Sequence, residues 1–416
     1  MRRRGGRRWL LLGLAVLLAL AGATYGGLVA ATSRSQLARA VIWGESDVGD
    51  HARFPARRIA AGPDRFDFHR PAGGAGTPPA PLRRISVWDG TRQLQWDLEQ
   101  FLAQSDTTAF LIARGDRLLY EGYFNGYDHD SVQTSMSVAK SVLGALVGIA
   151  ITQGRIGSVD DPITRYVPEL AGRDQRFGRI TLRHLLTMRS GLRYQESGGP
   201  WGDDTATYYA PDLRALALTR TEVVEAPGRR FRYNNFNPLL VGLALERATG
   251  MPVATWLEQR LWRPLGMEAD GSWSLDSQAS GFEKMESGLN ARAVDFAKLG
   301  LLVAREGRFR GRQLLPRGWV QDLTRVPTGG GSVPSPGYQF FWWTQDDRHQ
   351  PAVFARGKYG QHLYVVPASD LVLVRFGRDT GYPHWPQLLS DLASRLDESI
   401  SGEESPALGG DGERRR

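Results

Sequence analysis

Apolar positions are spread unevenly along this chain, and each change of pattern predicts a different element. Residues 9–31 read WLLLGLAVLLALAGATYGGLVAA, with no charged side chain. As a helix this run is about 34 Å long, enough to cross the hydrocarbon core of a bilayer. FLIARGDRLLYEGYF (110–124) places two β-rich runs around Arg114-Gly115-Asp116-Arg117, which predicts a β-hairpin. Ser137 to Ile151 is apolar on nearly every side and is followed by Gln153-Gly154, which predicts a buried helix. Helical and loop patterns then dominate to about residue 275, including ITLRHLLTMRSGL (180–192) and NPLLVGLALERATG (237–250). NARAVDFAKLGLLVAREG (290–307) predicts another helix, GYQFFWWTQ (337–345) and HLYVVPASDLVLVRFG (362–377) predict sheet strands, and 388–400 a closing helix.

Strands early and late with helices between them argue for an α/β (α+β) sandwich: an antiparallel sheet flanked by helices, with a mainly helical inserted domain. The expected division is a cytoplasmic basic segment (1–8), a transmembrane anchor or signal (9–31) and a linker (32–90). An α/β domain follows from 91–150 and 280–400, interrupted by a helical domain (151–279), and a disordered tail (401–416) closes the chain. The linker reading rests on RPAGGAGTPPAPLRR (70–84), with a short helix expected at its start.

Charge changes the picture at the ends. Arg2, Arg3, Arg4, Arg7 and Arg8 precede the apolar run, so the positive-inside rule places the rest of the chain outside the cytoplasm. An uncleaved anchor is favoured over a signal peptide cut near Ala21-Gly22-Ala23, because apolar character continues past that point. A periplasmic, membrane-anchored body is therefore expected, with secretion after cleavage as the alternative. The net charge of +8 invites a nucleic-acid reading, but these arginines and Arg414–Arg416 account for it, and no basic stripe interleaved with aromatics remains. No nucleic-acid partner is expected, and the oligomeric state stays open.

The chain has 416 residues and no cysteine, which excludes disulfides, thiolate chemistry and cysteine-ligated metals. Its seven histidines form no His-x-x-x-His pair, and Gly329-Gly330-Gly331 lacks the following lysine of a phosphate cradle. No metal or cofactor is expected. There is no Gly-x-Ser-x-Gly elbow. Of 52 basic residues only Lys140, Lys284, Lys298 and Lys358 are lysine. Arginine cannot give up its proton near neutral pH and a buried lysine can, so a lysine kept in such a chain is a candidate for proton chemistry.

Candidate chemistry begins at TSMSVAKS (134–141). Residues three apart share a helix face, so the Ser137 hydroxyl and the Lys140 amine can meet. The helix start favours a developing alkoxide and a substrate oxyanion. Burial under the apolar run disfavours the ammonium form, leaving an amine able to take the serine proton. The alternative is a helix-capping serine beside an exposed lysine.

Further segments surround this pair in a fixed order. VDDPITRYVPEL (159–170), ITLRHLLTMRSGL, FRYNNFNPLLVGLALERATG (231–250) and SGLNARAVDFAKLGLLVAREG (287–307) accompany it. From about residue 95 to 395 the chain resembles the serine β-lactamase and penicillin-recognising hydrolase superfamily. It looks most like the branch holding class C β-lactamases, esterases and 6-aminohexanoate-dimer hydrolases.

The resemblance implies that Tyr233, of Tyr233-Asn234-Asn235, completes the proton relay with Ser137 and Lys140. The other such triplet, Tyr123-Phe124-Asn125, sits in the early hairpin and reads as structural. Asn235 would bind Lys140 or a substrate amide. The family's third motif falls on Lys358-Tyr359-Gly360, where Tyr359 replaces the usual Thr or Gly and weakens the match to a β-lactam carboxylate site. The backbone N–H of Gln361 would then pair with that of Ser137 as the oxyanion hole. In the rim segment ESGGPWGDDTATYYAPD (196–212), Glu196, Asp203 or Asp204 would face an amine-bearing substrate, or the segment is simply a solvated loop. The implied activity is hydrolysis of small esters or amides through an acyl-serine. A D-alanyl-D-alanine carboxypeptidase or β-lactamase, a non-catalytic sensor and an acyltransferase are the alternatives.

Overall fold

The computed structural model describes residues 4–403, apart from 72–73, 197, 326–336 and 346–350. Gly329-Gly330-Gly331 and the tail from 404 lie outside the described residues. Helix α1 (Arg4–Ala31) carries the long apolar run, and its side chains from Leu12 to Ala30 are almost all exposed. One window of it, Leu12–Ala31, is long and apolar enough to cross a membrane, a property a signal sequence shares. Helix α2 (Gln36–Trp43) follows at once, its N-terminus capped by Ser35, whose hydroxyl accepts from the Ala38 N–H.

A seven-stranded antiparallel sheet forms the centre. Its strands are β1 (Thr107–Arg114), β2 (Arg117–Tyr123), β3 (Tyr338–Gln339), β4 (Trp342–Gln345), β5 (Ala352–Gly357), β6 (Gln361–Val366) and β7 (Leu371–Gly377). Their spatial order is β3-β4-β5-β6-β7-β1-β2. Leu363, Val365, Val372 and Val374 face one core, and Tyr364, Val366, Leu371 and Leu373 face another. Both faces are therefore covered, which explains why HLYVV and LVLVRFG show no polar alternation.

Helix α3 (Val138–Thr152) fills the larger core and is buried on all sides, as its uniformly apolar sequence requires. Helix α4 (Phe236–Thr249) packs beside it and ends at Gly250 in the left-handed conformation. Helix α5 (Ala293–Ala304) lies across β7 and β6 on the same face. The second core is covered by α6 (Trp385–Glu403) through Trp385, Leu388, Leu389 and Leu392.

Residues 32–90 depart from the linker expectation. The short helix at their start is α2, but the remainder is built into the body. Ala56–Ile59 pairs with Gly271–Ser274, which pairs with Leu289–Ala291 and through it with Gln133–Thr134. Arg84–Trp88 forms a hairpin with Gln93–Asp97. Phe54, Phe66 and Phe68 are buried. The segment looked loose because it inserts single aromatic residues into grooves rather than contributing a periodic face. The strand Gly271–Ser274 also means that 151–279 is not purely helical.

Candidate active site

The position of Ser137 is set by one bend. Ser135 donates its N–H to the Leu289 carbonyl, and Met136 takes a left-handed φ of 50°. That turn delivers Ser137 to the N-cap position of α3, half-buried, with its hydroxyl making no capping bond to the helix. Lys140 is 1% exposed. Its Nζ donates to Ser137 Oγ at 2.7 Å and to the Glu286 carbonyl at 2.8 Å. The capping-serine and exposed-lysine alternative does not fit this geometry.

Tyr233 lines the same cavity as Ser137, and its ring centroid lies 5.0 Å from Lys140 Nζ. The ring is held rather than free. It stacks on Trp343 at 6.1 Å and meets Tyr338 edge-on at 6.2 Å. Burial pushes the Tyr338 phenol pKa well up, so that neighbour stays protonated. Asn234 accepts from the Phe236 N–H and donates to the Leu192 carbonyl, and Ser190 donates to Asn237. These bonds tie the SGL turn at 190–192 to α4 and so place Tyr233. Asn235 donates to Tyr194 Oη at 2.9 Å, while its Oδ1 is buried without a partner. Tyr123 and Asn125 lie elsewhere: Tyr123 donates to Glu121, and Asn125 closes a turn against the Ala103 and Thr107 carbonyls.

The opposite wall is strand β5 and the turn after it; of the residues expected there, Lys358 and Gly360 line the cavity, and Tyr359 and Gln361 do not. Pairing of β5 with β4 ends at Phe354, whereas pairing with β6 continues to Gly357. The edge beyond Phe354 is thus left without a β4 partner, and Arg356, Gly357 and Lys358 line the cavity. A Cβ on Gly357 would sit 2.7 Å from the Ser135 carbonyl and 3.0 Å from Met136 Cβ. This is the close approach that brings strand and nucleophile turn together.

Lys358, Tyr359 and Gly360 are not on a strand but in the turn between β5 and β6. Tyr359 has a φ of 64° and donates its hydroxyl to the Ser46 carbonyl. Lys358 Nζ reaches Ser46 Oγ at 3.1 Å and Glu45 at 3.4 Å, so its charge is directed at the N-terminal segment. Gln361 opens β6, is fully buried, and uses its side-chain amide to bridge both backbone groups of Gly377. The turn is fastened by the buried Arg375, which donates to the carbonyls of Tyr359, Gly360, Asp379 and Ser105. Burial pushes the Arg375 pKa down to about 9, still protonated at neutral pH.

The cavity measures about 1060 Å³. Asp204 and Glu196 line it, but Asp203 does not. Asp203 is buried, accepts from the Gln195 N–H and pairs with Arg220, which makes it a brace for the rim segment. A short charged side chain flanked by another in sequence gave no sign of which would turn inward.

Two contributors were not anticipated. Tyr194 lines the cavity and holds Asn235. Glu286 lines it too, offers its carbonyl to Lys140, and pairs its carboxylate with the fully buried Lys284 at 3.2 Å. The spacing Lys284-x-Glu286 was a visible signal. Of the four lysines, Lys140, Lys284 and Lys298 are buried, whereas Lys358 is exposed. Lys298 is also buried, donating to the Gly266 carbonyl beside Asp295 and Glu268, and burial pushes the Asp295 carboxyl up to about 6.

Comparison with known proteins bears on this geometry. Residues 97–385 match the family model described as Beta-lactamase. The 6-aminohexanoate-dimer hydrolase of Paenarthrobacter ureafaciens is 29% identical over 344 residues, covering 76% of this chain and 83% of that protein. Esterase EstB of Burkholderia gladioli is 31% identical over 160 residues, 36% of this chain and 40% of that one. A solved structure of a Bacillus anthracis protein named after 6-aminohexanoate-dimer hydrolase superposes with a TM-score of 0.74. It shares 24% identity and covers 88% of this chain and 97% of its own, which establishes the common fold.

Proposed function

The chain belongs to the beta-lactamase family and is a serine hydrolase, and on that premise we propose that it cleaves small esters or amides through an acyl-enzyme on Ser137. The observation that carries this reading is the 2.7 Å contact between Lys140 Nζ and Ser137 Oγ inside a cavity shared with Tyr233. With Lys140 as the free amine the contact reverses, and the serine hydroxyl donates to it. Tyr233, held over Lys140 by the aromatic stack, relays that proton to the leaving group. The serine oxygen bonds to the substrate carbonyl carbon. The resulting oxyanion is taken by the backbone N–H of Ser137 and one from the end of β5 at 356–357, in place of Gln361. Collapse expels the alcohol or amine, and water repeats the steps to free the acid and restore the serine.

Small esters and amides are preferred to β-lactams or D-alanyl-D-alanine peptides because Lys358 is drawn off toward Glu45 and Ser46. Tyr359 is likewise engaged by Ser46. We also assign α1 as an anchor that leaves the body outside the cytoplasm. The test is a fluorophosphonate probe together with p-nitrophenyl acetate and nitrocefin. Ser137→Ala should lose probe labelling and ester turnover. Fast nitrocefin turnover by the parent chain without ester hydrolysis would reverse the substrate assignment.

A further inference from the structure

Beyond α1, the large apolar side chains left exposed among the described residues are Leu37, Val41, Trp88, Trp201 and Val224. Three of the five are gathered beside the active-site cavity. Leu37 and Val41, four apart, share one face of α2 and are 45% and 55% exposed. Gln36 Nε2 donates to the Pro200 carbonyl at 2.9 Å, which joins α2 to the rim turn that carries Trp201, 74% exposed. Arg220 donates to the Trp201 carbonyl and fixes that backbone.

The same two segments line the cavity on their other side. Ala40, Gly44, Glu45 and Ser46 come from α2 and its continuation, and Pro200 and Thr205 from the rim. The opposite face of α2 is locked to the body. Arg39 is buried and donates to the carbonyls of Thr32, Tyr209 and Asp276. Only residues 32–35 separate α1 from α2, a span of at most about 17 Å.

We propose that the face formed by Leu37, Val41 and Trp201 rests on the bilayer that α1 enters, so that the catalytic cavity opens beside the lipid–water interface. The occupant is argued from continuity. The exposed apolar face begins within a few residues of an exposed helix of membrane-spanning length, and the buried Arg39 makes the connection rigid. An indole beside aliphatic side chains suits the headgroup boundary, and the exposed Arg34 between the two helices suits anionic headgroups. A cavity so placed receives amphiphilic esters or amides from the interface. That consequence rests on the hydrolase reading, whereas the docking itself does not.

The absence of native cysteine makes the test direct. Leu37→Cys, Trp201→Cys and, as control, Arg117→Cys at the sheet end opposite Gly357 would each be labelled with an environment-sensitive fluorophore. The full chain is then reconstituted in phosphatidylcholine–phosphatidylglycerol vesicles containing doxyl-labelled lipid. Labels at 37 and 201 should emit to the blue of the label at 117 and be quenched several-fold more strongly. Equal, water-like emission at all three positions in vesicle-retained protein would overturn the proposal. So would unquenched burial together with a disulfide formed on oxidation of unlabelled Leu37→Cys chains, which would make the face a dimer contact. In a second arm, Leu37→Ser/Trp201→Ser should slow hydrolysis of a vesicle-dispersed long-chain ester several-fold while p-nitrophenyl acetate turnover is unchanged. Equal loss on both substrates counts against the interface. If the parent chain hydrolyses no ester at all, the hydrolase reading fails while the quenching result still stands or falls alone.

Discussion

The two walls of the cavity are built in opposite ways. The helix wall is held from within: Ser137 and Lys140 are one turn apart on α3, and the buried helix fixes their 2.7 Å contact. The strand wall is held from without. The part that lines the cavity runs from Arg356 to Gly360, and it keeps its place through Arg375, Gln361, Ser46 and a clash-free approach at Gly357. Side-chain chemistry can thus be packaged in one turn of helix. Backbone chemistry needs ligands recruited from distant parts of the chain.

The sharpest way to test this contrast is to damage each wall separately. Ser137→Ala should lower kcat by about 10³-fold or more, with Lys140→Met close behind, while thermal unfolding changes little. Gly357→Ala should cost about 10²-fold in kcat/KM although it removes no functional group. Its new Cβ must push the strand off Ser135, and misplacement by about 1 Å is enough for such a loss. If Gly357→Ala were fully active, the strand wall would not depend on that approach.

Arg375→Met should act on stability first. It strips the donor from four backbone carbonyls, and urea unfolding should show a loss of about 3 kcal/mol. Acid should weaken the strand wall through His362, whose pKa burial holds well below its usual value near 6.5, with Arg375 and Arg356 adding to the effect. Below about 6.5 the unfolded chain takes up a proton that the folded one refuses. The stability is therefore complete above that pH and is lost as pH falls, by about 1.4 kcal/mol per unit for this group. His362→Leu should flatten that slope between pH 7.5 and 5, as read from urea unfolding. The smallest effect is expected from Lys358→Ala, since its pair with Glu45 is largely exposed: under about 0.5 kcal/mol in the same measurement.

The two walls also differ in how far they could be read without coordinates. The Ser137–Lys140 pair was legible because a helix brings residues three apart together wherever it lies. Tyr233 was legible only by resemblance, since nothing local connects it to Ser137. The strand wall was legible in part: Lys358 and Gly360 line the cavity, and Tyr359 does not. Lys358-Tyr359-Gly360 carries suitable residue types, but where β5 loses its partner is decided by register with β4 and β6. Asp203 and Asp204 were indistinguishable in sequence, and one faces the cavity while the other braces Arg220. Residues 32–90 looked loose because single inserted aromatics leave no periodicity.

What the chain specifies locally is the apolar N-terminal helix, the buried α3 with its serine and lysine, and strands apolar on both faces. These follow from side-chain pattern and helix geometry alone. Only the folded molecule settles which backbone edge confronts Ser137, which acidic residues turn inward, and that α2 closes the cavity next to the membrane-length helix. The first and last depend on contacts between residues more than a hundred positions apart, and the second on contacts across a rim segment with no periodicity, so a linear pattern carries no physical signal for them.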